Sequence, residues 1–164
     1  AGFALAIAVL EKRPDLKATV IEQAAILKMG KQYVSRHNLT RNIKLRLDDY
    51  WQGNFGRGNE AVILSQLLEL RDRQTAKRTL RKAYDSLVSG GLLAILGQPT
   101  EPDKVSPVRA TLRSLHLLLV SKGGEVYTTQ EYEEWLKETG FAEVTIQPQS
   151  PSLLPFSLIT ATKK

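Results

Sequence analysis

The chain has 164 residues, 42% of them apolar and 24% charged, which suits one globular domain with one core and leaves too little chain for two comfortable ones. With no cysteine and only two isolated histidines, His37 and His116, it excludes a disulfide framework, a thiolate metal site and a histidine-built zinc centre. The net charge of +6 raises the question of a nucleic-acid partner, and its distribution answers against one. Six basic residues lie between Arg71 and Lys82, but they alternate with an apolar helical stripe, and no aromatic residue interleaves them to stack on bases.

In chain order, residues 1 to 12 are apolar in a way that fits helix or strand. Phe3 to Leu10 is far shorter than the roughly 20 residues of a membrane-spanning helix, and no cleavage-site pattern follows it. The reading is a soluble, cytoplasmic protein without a membrane partner or metal. Ala18 to Glu22 is a short β-rich run, and Ala25 to Arg36 carries apolar residues at 26, 29, 33 and 34, a helical spacing. Ile43 to Leu47 alternates as a strand does, and Ala61 to Leu64 is continuously apolar. From 76 to 88, Ala76, Leu80, Ala83, Tyr84, Leu87 and Val88 share a helix face, with Gly90-Gly91 as its stop. Leu92 to Leu96 is the next strand. Its unbroken apolar character, like that of 61 to 64, predicts a parallel strand covered on both faces.

A turn-rich loop from Gln98 precedes a helix over about 107 to 120, with Val108, Leu112, Leu115 and Leu119 on one face. Thr128 to Glu131 is a capping box opening a helix with Tyr132, Trp135 and Leu136 inward, and Gly140 closes it. Glu143 to Gln147 and Phe156 to Ala161 read as an antiparallel strand pair joined by the Pro-rich stretch 148–155. The fold class that follows is a doubly wound α/β sheet with a C-terminal antiparallel strand pair. Ligands bind such sheets at the carboxyl ends of the strands, so the loops after 22, 47, 64 and 96 are the candidate site.

At those ends stand a few residues that can carry chemistry. Gly2 precedes Glu22 by 20 residues, the separation at which a nucleotide-binding βαβ unit places its close-approach glycine and its ribose-binding acid. Glu22 reads equally as an ordinary strand-end carboxylate. In Asp48-Asp49-Tyr50-Trp51 a carboxylate can accept from an adenine amino group while an aromatic ring packs on its face, or the stretch is a turn carboxylate with two surface aromatics. Ser65 can face the reactive end of a ligand. Glu69 can act as a general base or serve the start of the following helix.

Three stretches together carry a resemblance. Ala1 to Leu10 with Arg13 to Glu22, then Leu45-Arg-Leu-Asp-Asp-Tyr-Trp51, then Leu118 to Glu131 with Thr139-Gly-Phe141, resemble the class I methyltransferases that methylate hydroxyls of aromatic and polyketide metabolites. The resemblance runs from residue 1 to 164. It implies a Rossmann-like sheet and S-adenosyl-L-methionine as cofactor, with Gly2 as the last glycine of the cofactor loop, Glu22 on the ribose and Asp49 with Tyr50 around the adenine. It also implies His116 in the helix that roofs a small-molecule substrate pocket, and a homodimer of the full-length protein.

Two departures accompany the resemblance. The family's base is a histidine in a Leu-His-Asp-Trp motif, and the matching stretch Leu68-Glu69-Leu70-Arg71 has Glu69 in its place. The family's first, central strand and its helical dimerisation domain precede the position of Gly2, so the chain reads as one methyltransferase domain lacking its first strand. A catalytically silent binding module, or a methyltransferase for RNA or protein, are the alternatives.

Overall fold

The N-terminal run whose periodicity suits either state is a helix, α1 (Gly2–Lys12). Phe3, Ile7 and Leu10 recur at helical spacing and are all buried, against Val20, Leu27, Val34 and Ile43. A computed structural model describes residues 2–147 and 156–164, and these fall into two compact units, Ala1–Phe55 and Gly56–Lys164. The predicted Pro-rich connection 148–155 lies outside the described residues.

In the first unit, β1 (Ala18–Glu22) and β2 (Ile43–Leu47) form a parallel two-stranded sheet, in register from Ala18↔Ile43 to Glu22↔Leu47. The helix α2 (Ala24–Arg36) connects them. Its buried face is Leu27, Gly30 and Val34, whereas Ile26, Met29 and Tyr33 point outward. The helical spacing is therefore present, but the apolar stripe at 26, 29 and 33 is not the face that packs. Gly30 decides this: a Cβ there would stand 2.1 Å from Cζ of Phe3, so the missing side chain is the seat of that ring. Fully burying a side chain such as Phe3 or Leu10 is worth roughly 1.5–3 kcal/mol, which makes this small interface the main support of the unit.

In the second unit, β3 (Asn59–Ser65), β4 (Leu87–Gly97), β5 (Phe141–Gln147) and β6 (Ser157–Lys163) are ordered β3-β4-β6-β5. β3 and β4 are parallel, and β6 runs antiparallel to both β4 and β5, as the terminal strand pair requires. The crossover helix α3 (Arg73–Ser86) buries Ala76, Leu80 and Ala83. It ends at Ser86, short of the glycines expected to stop it. Leu87 and Val88 belong to β4, and Gly90-Gly91 lie within that strand where the pairing shifts from Asn59↔Leu87 to Ala61↔Leu92. Gly90 takes φ +75° there, so the glycine pair builds a bulge. The helix is stopped instead by bonds to its last carbonyls: Leu87 N–H donates to the Tyr84 carbonyl, and Lys163 Nζ donates to those of Tyr84 (2.8 Å) and Leu87 (2.7 Å).

Two further helices complete the unit. α5 (Thr129–Thr139) has the predicted reciprocal capping box, and Gly140 ends it at φ +107°. Its Tyr132, Trp135 and Leu136 are buried. α4 (Val108–Val120) differs from expectation: Val108, Leu112, Leu115 and Leu119 do share a face, but that face is exposed, and only Ala110 and Leu117 are buried. The sheet departs likewise. Leu93 and Ile95 are buried while Ile63 and Leu92 are exposed, so β3 and β4 have one covered face here. None of the described helices is long and apolar enough to cross a membrane.

Replacing Gly30 by alanine tests the seat. Alanine is the better helix former by about 1 kcal/mol, but the Phe3 ring is buried and cannot swing away, and overpacking of this kind costs about 1–3 kcal/mol. Urea denaturation should show Gly30→Ala as net destabilising, and less so in a Phe3→Leu background. Equal effects in both backgrounds would rule out the seat.

Candidate functional site

The carboxyl edge of β1 and β2 is where the first unit places three of its four candidate residues. Glu22 ends β1 opposite Leu47 of β2, and the turn Asp48-Asp49-Tyr50-Trp51 starts one residue later. Glu22 is half-buried, and among the described residues its carboxylate makes no hydrogen bond or ion pair. Asp49 is exposed and partly committed: its Oδ1 accepts from Trp51 N–H (2.7 Å) and Gln52 N–H (3.4 Å), an Asx turn closed by Gly53 N–H on the Asp49 carbonyl. Asp48 is held by Arg46 at 3.3 Å. Gly53 is needed because a Cβ there would fall 2.3 Å from Asp48 Oδ1. Tyr50 and Trp51 meet edge to face, with ring centroids 5.2 Å apart. Gly2 opens α1 beside β1, and a Cβ on it would only touch Val20 at 3.5 Å, so packing does not demand a glycine there.

In the second unit, Ser65 ends β3 opposite Leu96, half-buried and with no partner for its hydroxyl among the described residues. Glu69 follows in a 3₁₀ turn, Leu68–Leu70, and is 1% exposed. Its Oε1 accepts from Gln98 N–H at 3.2 Å. A Cβ on Gly97 would lie 3.2 Å from that Oε1 and 3.5 Å from Tyr132 Oη, so the carboxyl and the phenol share the space that this glycine leaves open. Burial pushes the Glu69 carboxyl above the usual carboxylate range, against the smaller opposing pulls of Gln98 N–H and of Arg113. The expected general base is thus enclosed among the described residues rather than open to solvent, and burial that lifts a carboxyl's pKa is what such a base needs near neutral pH. The sequence hides this, because nothing local tells a helix-start glutamate from a sealed one. Gln98, Gly97 and Tyr132 are partners that sequence reasoning did not assign, although the inward face of α5 pointed to Tyr132.

His116 is exposed on α4, in the second unit with Ser65 and Glu69. An open cleft of about 510 Å³ lies after β4, lined by Pro99, Glu101, Ser106, Pro107, Thr129, Glu133, Ile146 and Ser157, and none of the expected site residues lines it.

The basic run has partners within the protein. Arg73 of α3 bonds Glu125 at 2.7 Å and Glu131 of α5, Lys77 reaches Glu138 at 2.7 Å, and Arg81 pairs with Asp85 at 3.2 Å. Lys77 also lies over the Trp135 ring, and Arg81 over Tyr84. Burial opposes ionisation of Glu131, yet Thr128 N–H and Arg73 outweigh it and hold the carboxyl below its usual range. These cations join two helices, a different use from lying along a phosphate backbone.

A profile of the O-methyltransferase domain matches residues 1–142. The chain belongs to the O-methyltransferase family. It is 30% identical over 146 residues to a 3-hydroxy-5-methyl-1-naphthoate 3-O-methyltransferase of Streptomyces sahachiroi, covering 88% of this chain and 42% of that protein. It is 28% identical over 159 residues to an L-tyrosine C(3)-methyltransferase of Streptomyces lavendulae, covering 96% and 43%. The crystal structure of human N-acetylserotonin methyltransferase in complex with SAM shares the fold, with a TM-score of 0.79 at 20% identity over 94% of this chain and 42% of that one. The chain thus spans less than half the length of these relatives.

The α3–α5 ion pairs give a stability expectation. Arg73→Ala removes partners from two carboxylates, but its side chain is 44% exposed, so the loss should be about 1 kcal/mol. It should shrink in 1 M salt. A loss in urea unfolding that does not change with salt would mean that packing, not charge, is what Arg73 supplies.

Proposed function

We propose that the complete protein is an S-adenosyl-L-methionine-dependent methyltransferase acting on a hydroxyl of a small aromatic or polyketide-like metabolite, as a cytoplasmic homodimer. The observation that carries this reading is the carboxyl edge of β1 and β2. There an unpaired, half-buried Glu22 stands beside the Asp48–Tyr50 turn, in a chain of the O-methyltransferase family. The cofactor in the human relative's structure supports the choice of methyl donor. When bound, it supplies an electrophilic methyl group on a positively charged sulfur.

The chain's residues bind and orient. Glu22 accepts from two ribose hydroxyls, which suits a carboxylate with no partner of its own. Asp49 Oδ2, left over from the Asx turn, accepts from the adenine amino group, with Tyr50 against the ring. Within the first unit, Gly2 would let the α1 backbone approach the ligand. His116, exposed on α4 of the second unit, is the residue assigned to the substrate in this reading. With the cofactor held by Glu22, Asp49 and Tyr50, methyl transfer to the substrate oxygen would release the hydroxyl proton, which would pass to water while Glu69 stays enclosed. Rate then comes mainly from positioning, worth up to about 7–11 kcal/mol in favourable cases.

The sealing of Glu69 favours one second reading, a binding module that keeps the cofactor and transfers nothing. Turnover separates the two, because both bind cofactor.

Calorimetric titration of the full-length protein with S-adenosylhomocysteine tests the site. Glu22→Gln should weaken binding by roughly 10–100-fold, the worth of hydrogen bonds to a charged group. Asp49→Asn should cost less, because its turn bonds survive, and His116→Ala should cost nothing. Unchanged affinity in Glu22→Gln would remove the cofactor site from this edge.

A further inference from the structure

A buried carboxyl at the carboxyl ends of β3 and β4 calls for an explanation of its own, because it is closed off from solvent. Among the described residues the Glu69 carboxyl accepts from Gln98 N–H, is also drawn by its own backbone N–H and by the Arg113 charge, and makes no ion pair. The charged and titratable groups that face it are Arg113 from α4 and Tyr132 from α5; the strand side presents Gly97 and Gln98. Arg113 forms no salt bridge with it, and the Arg113 Nε is itself buried and unpaired. Tyr132 Oη is fully buried and has no hydrogen-bond partner. A carboxylate in this position would carry a charge met by two backbone N–H groups and an Arg113 that forms no ion pair with it, and burial outweighs them. A carboxylic acid resolves both deficits. One oxygen accepts from Gln98, and the O–H is free to serve Tyr132 Oη across the space beside Gly97, directly or through one water.

We propose that Glu69, held as a neutral acid, is a positioning residue of the methyl-transfer site: it fastens the turn after β3 to the segment after β4 and to α5. The main-chain carbonyl of Glu69 adds a second fixation, since a Cβ on Gly124 would come within 2.5 Å of it. Four segments therefore converge on this residue: the 66–70 turn that follows Ser65, the chain leaving β4, the stretch around Gly124, and α5. The proposal rests on the methyltransferase reading above. Ionisation of Glu69 is expected to loosen the turn that carries the reactive-end residues.

Burial raises the carboxyl above its ordinary value of 4.5. The folded state therefore holds a proton that the unfolded chain gives up, and stability falls as pH rises from about 4.5 through the folded-state ionisation. The test uses the full-length protein as wild type, Glu69→Gln and Glu69→Asp. Thermal unfolding from pH 5 to 9 is paired with methyl transfer from S-adenosylmethionine to 3-hydroxy-5-methyl-1-naphthoate. Glu69→Gln should keep turnover near the wild-type level at neutral pH. Its advantage over wild type, in both melting temperature and rate, should grow with pH. Glu69→Asp, one methylene shorter, should lose the Gln98 bond and be slower at every pH.

A Glu69→Gln protein that folds but loses about 100-fold or more in rate would overturn the proposal and restore Glu69 as a proton acceptor. Parallel melting curves for wild type and Glu69→Gln across the pH range would overturn it equally. If wild type methylates nothing, the functional reading fails on its own, and the melting series still decides whether the acid is neutral.

Discussion

The chain leaving β4 has to carry its backbone out of the sheet inside the protein, and the Gln98 N–H must find an acceptor there because water cannot reach it. Glu69 supplies that acceptor. The consequences spread outward. Gly97 must lack a side chain so that the Glu69 carboxyl and Tyr132 can both approach, and the turn after β3 must tighten into a 3₁₀ segment to bring Glu69 inward. Tyr132 then packs with Tyr127 and Trp135 beneath α5, their rings 4.6 to 6.2 Å apart. One unmet main-chain donor thus sets the geometry of the loops after β3 and β4.

Charge plays a different part from the one that the total suggests. A net charge of +6 looks like a surface built for an anionic partner. Yet Arg73, Lys77 and Arg81 are engaged by Glu125, Glu131, Glu138 and Asp85, and by the faces of Trp135 and Tyr84. Their charged heads lie over the Tyr127, Trp135 and Tyr84 rings while also pairing with carboxylates. Removing such a residue costs packing as well as charge.

What could be read from the sequence was whatever local chemistry dictates. The Thr128–Glu131 capping box and Gly140 fixed both ends of α5, since a cap is a bond between near neighbours. The alternation of Ile43 to Leu47 gave a strand for the same reason. The position of Glu22 at a strand end was likewise legible, whereas the Asx turn that occupies Asp49 Oδ1 could not be distinguished from a ligand contact by residue type. The misplaced features all depend on distant partners. Gly90-Gly91 reads as a helix stop until β3 imposes its shifted pairing, and the stripe at 26, 29 and 33 reads as inward until Phe3 claims Gly30. Glu69 reads as either a base or a helix-start carboxylate, and its burial is invisible until Gln98 and Tyr132, about 30 and 60 residues away in sequence, enclose it. Composition sets only the total apolar content, so it could not show that the first unit has a core of its own.

β6 lies between β4 and β5, and Lys163 at its end reaches back across 79 residues to the carbonyl of Tyr84. During synthesis, β4 therefore leaves the ribosome long before the strand that will cover its edge. Leu92 to Gly97 wait with open hydrogen-bonding groups until residues 157–163 are made. The second unit is thus a late-closing sheet whose folding is gated by translation of its final strand, and an apolar edge exposed in the meantime is one that chaperones are suited to shield.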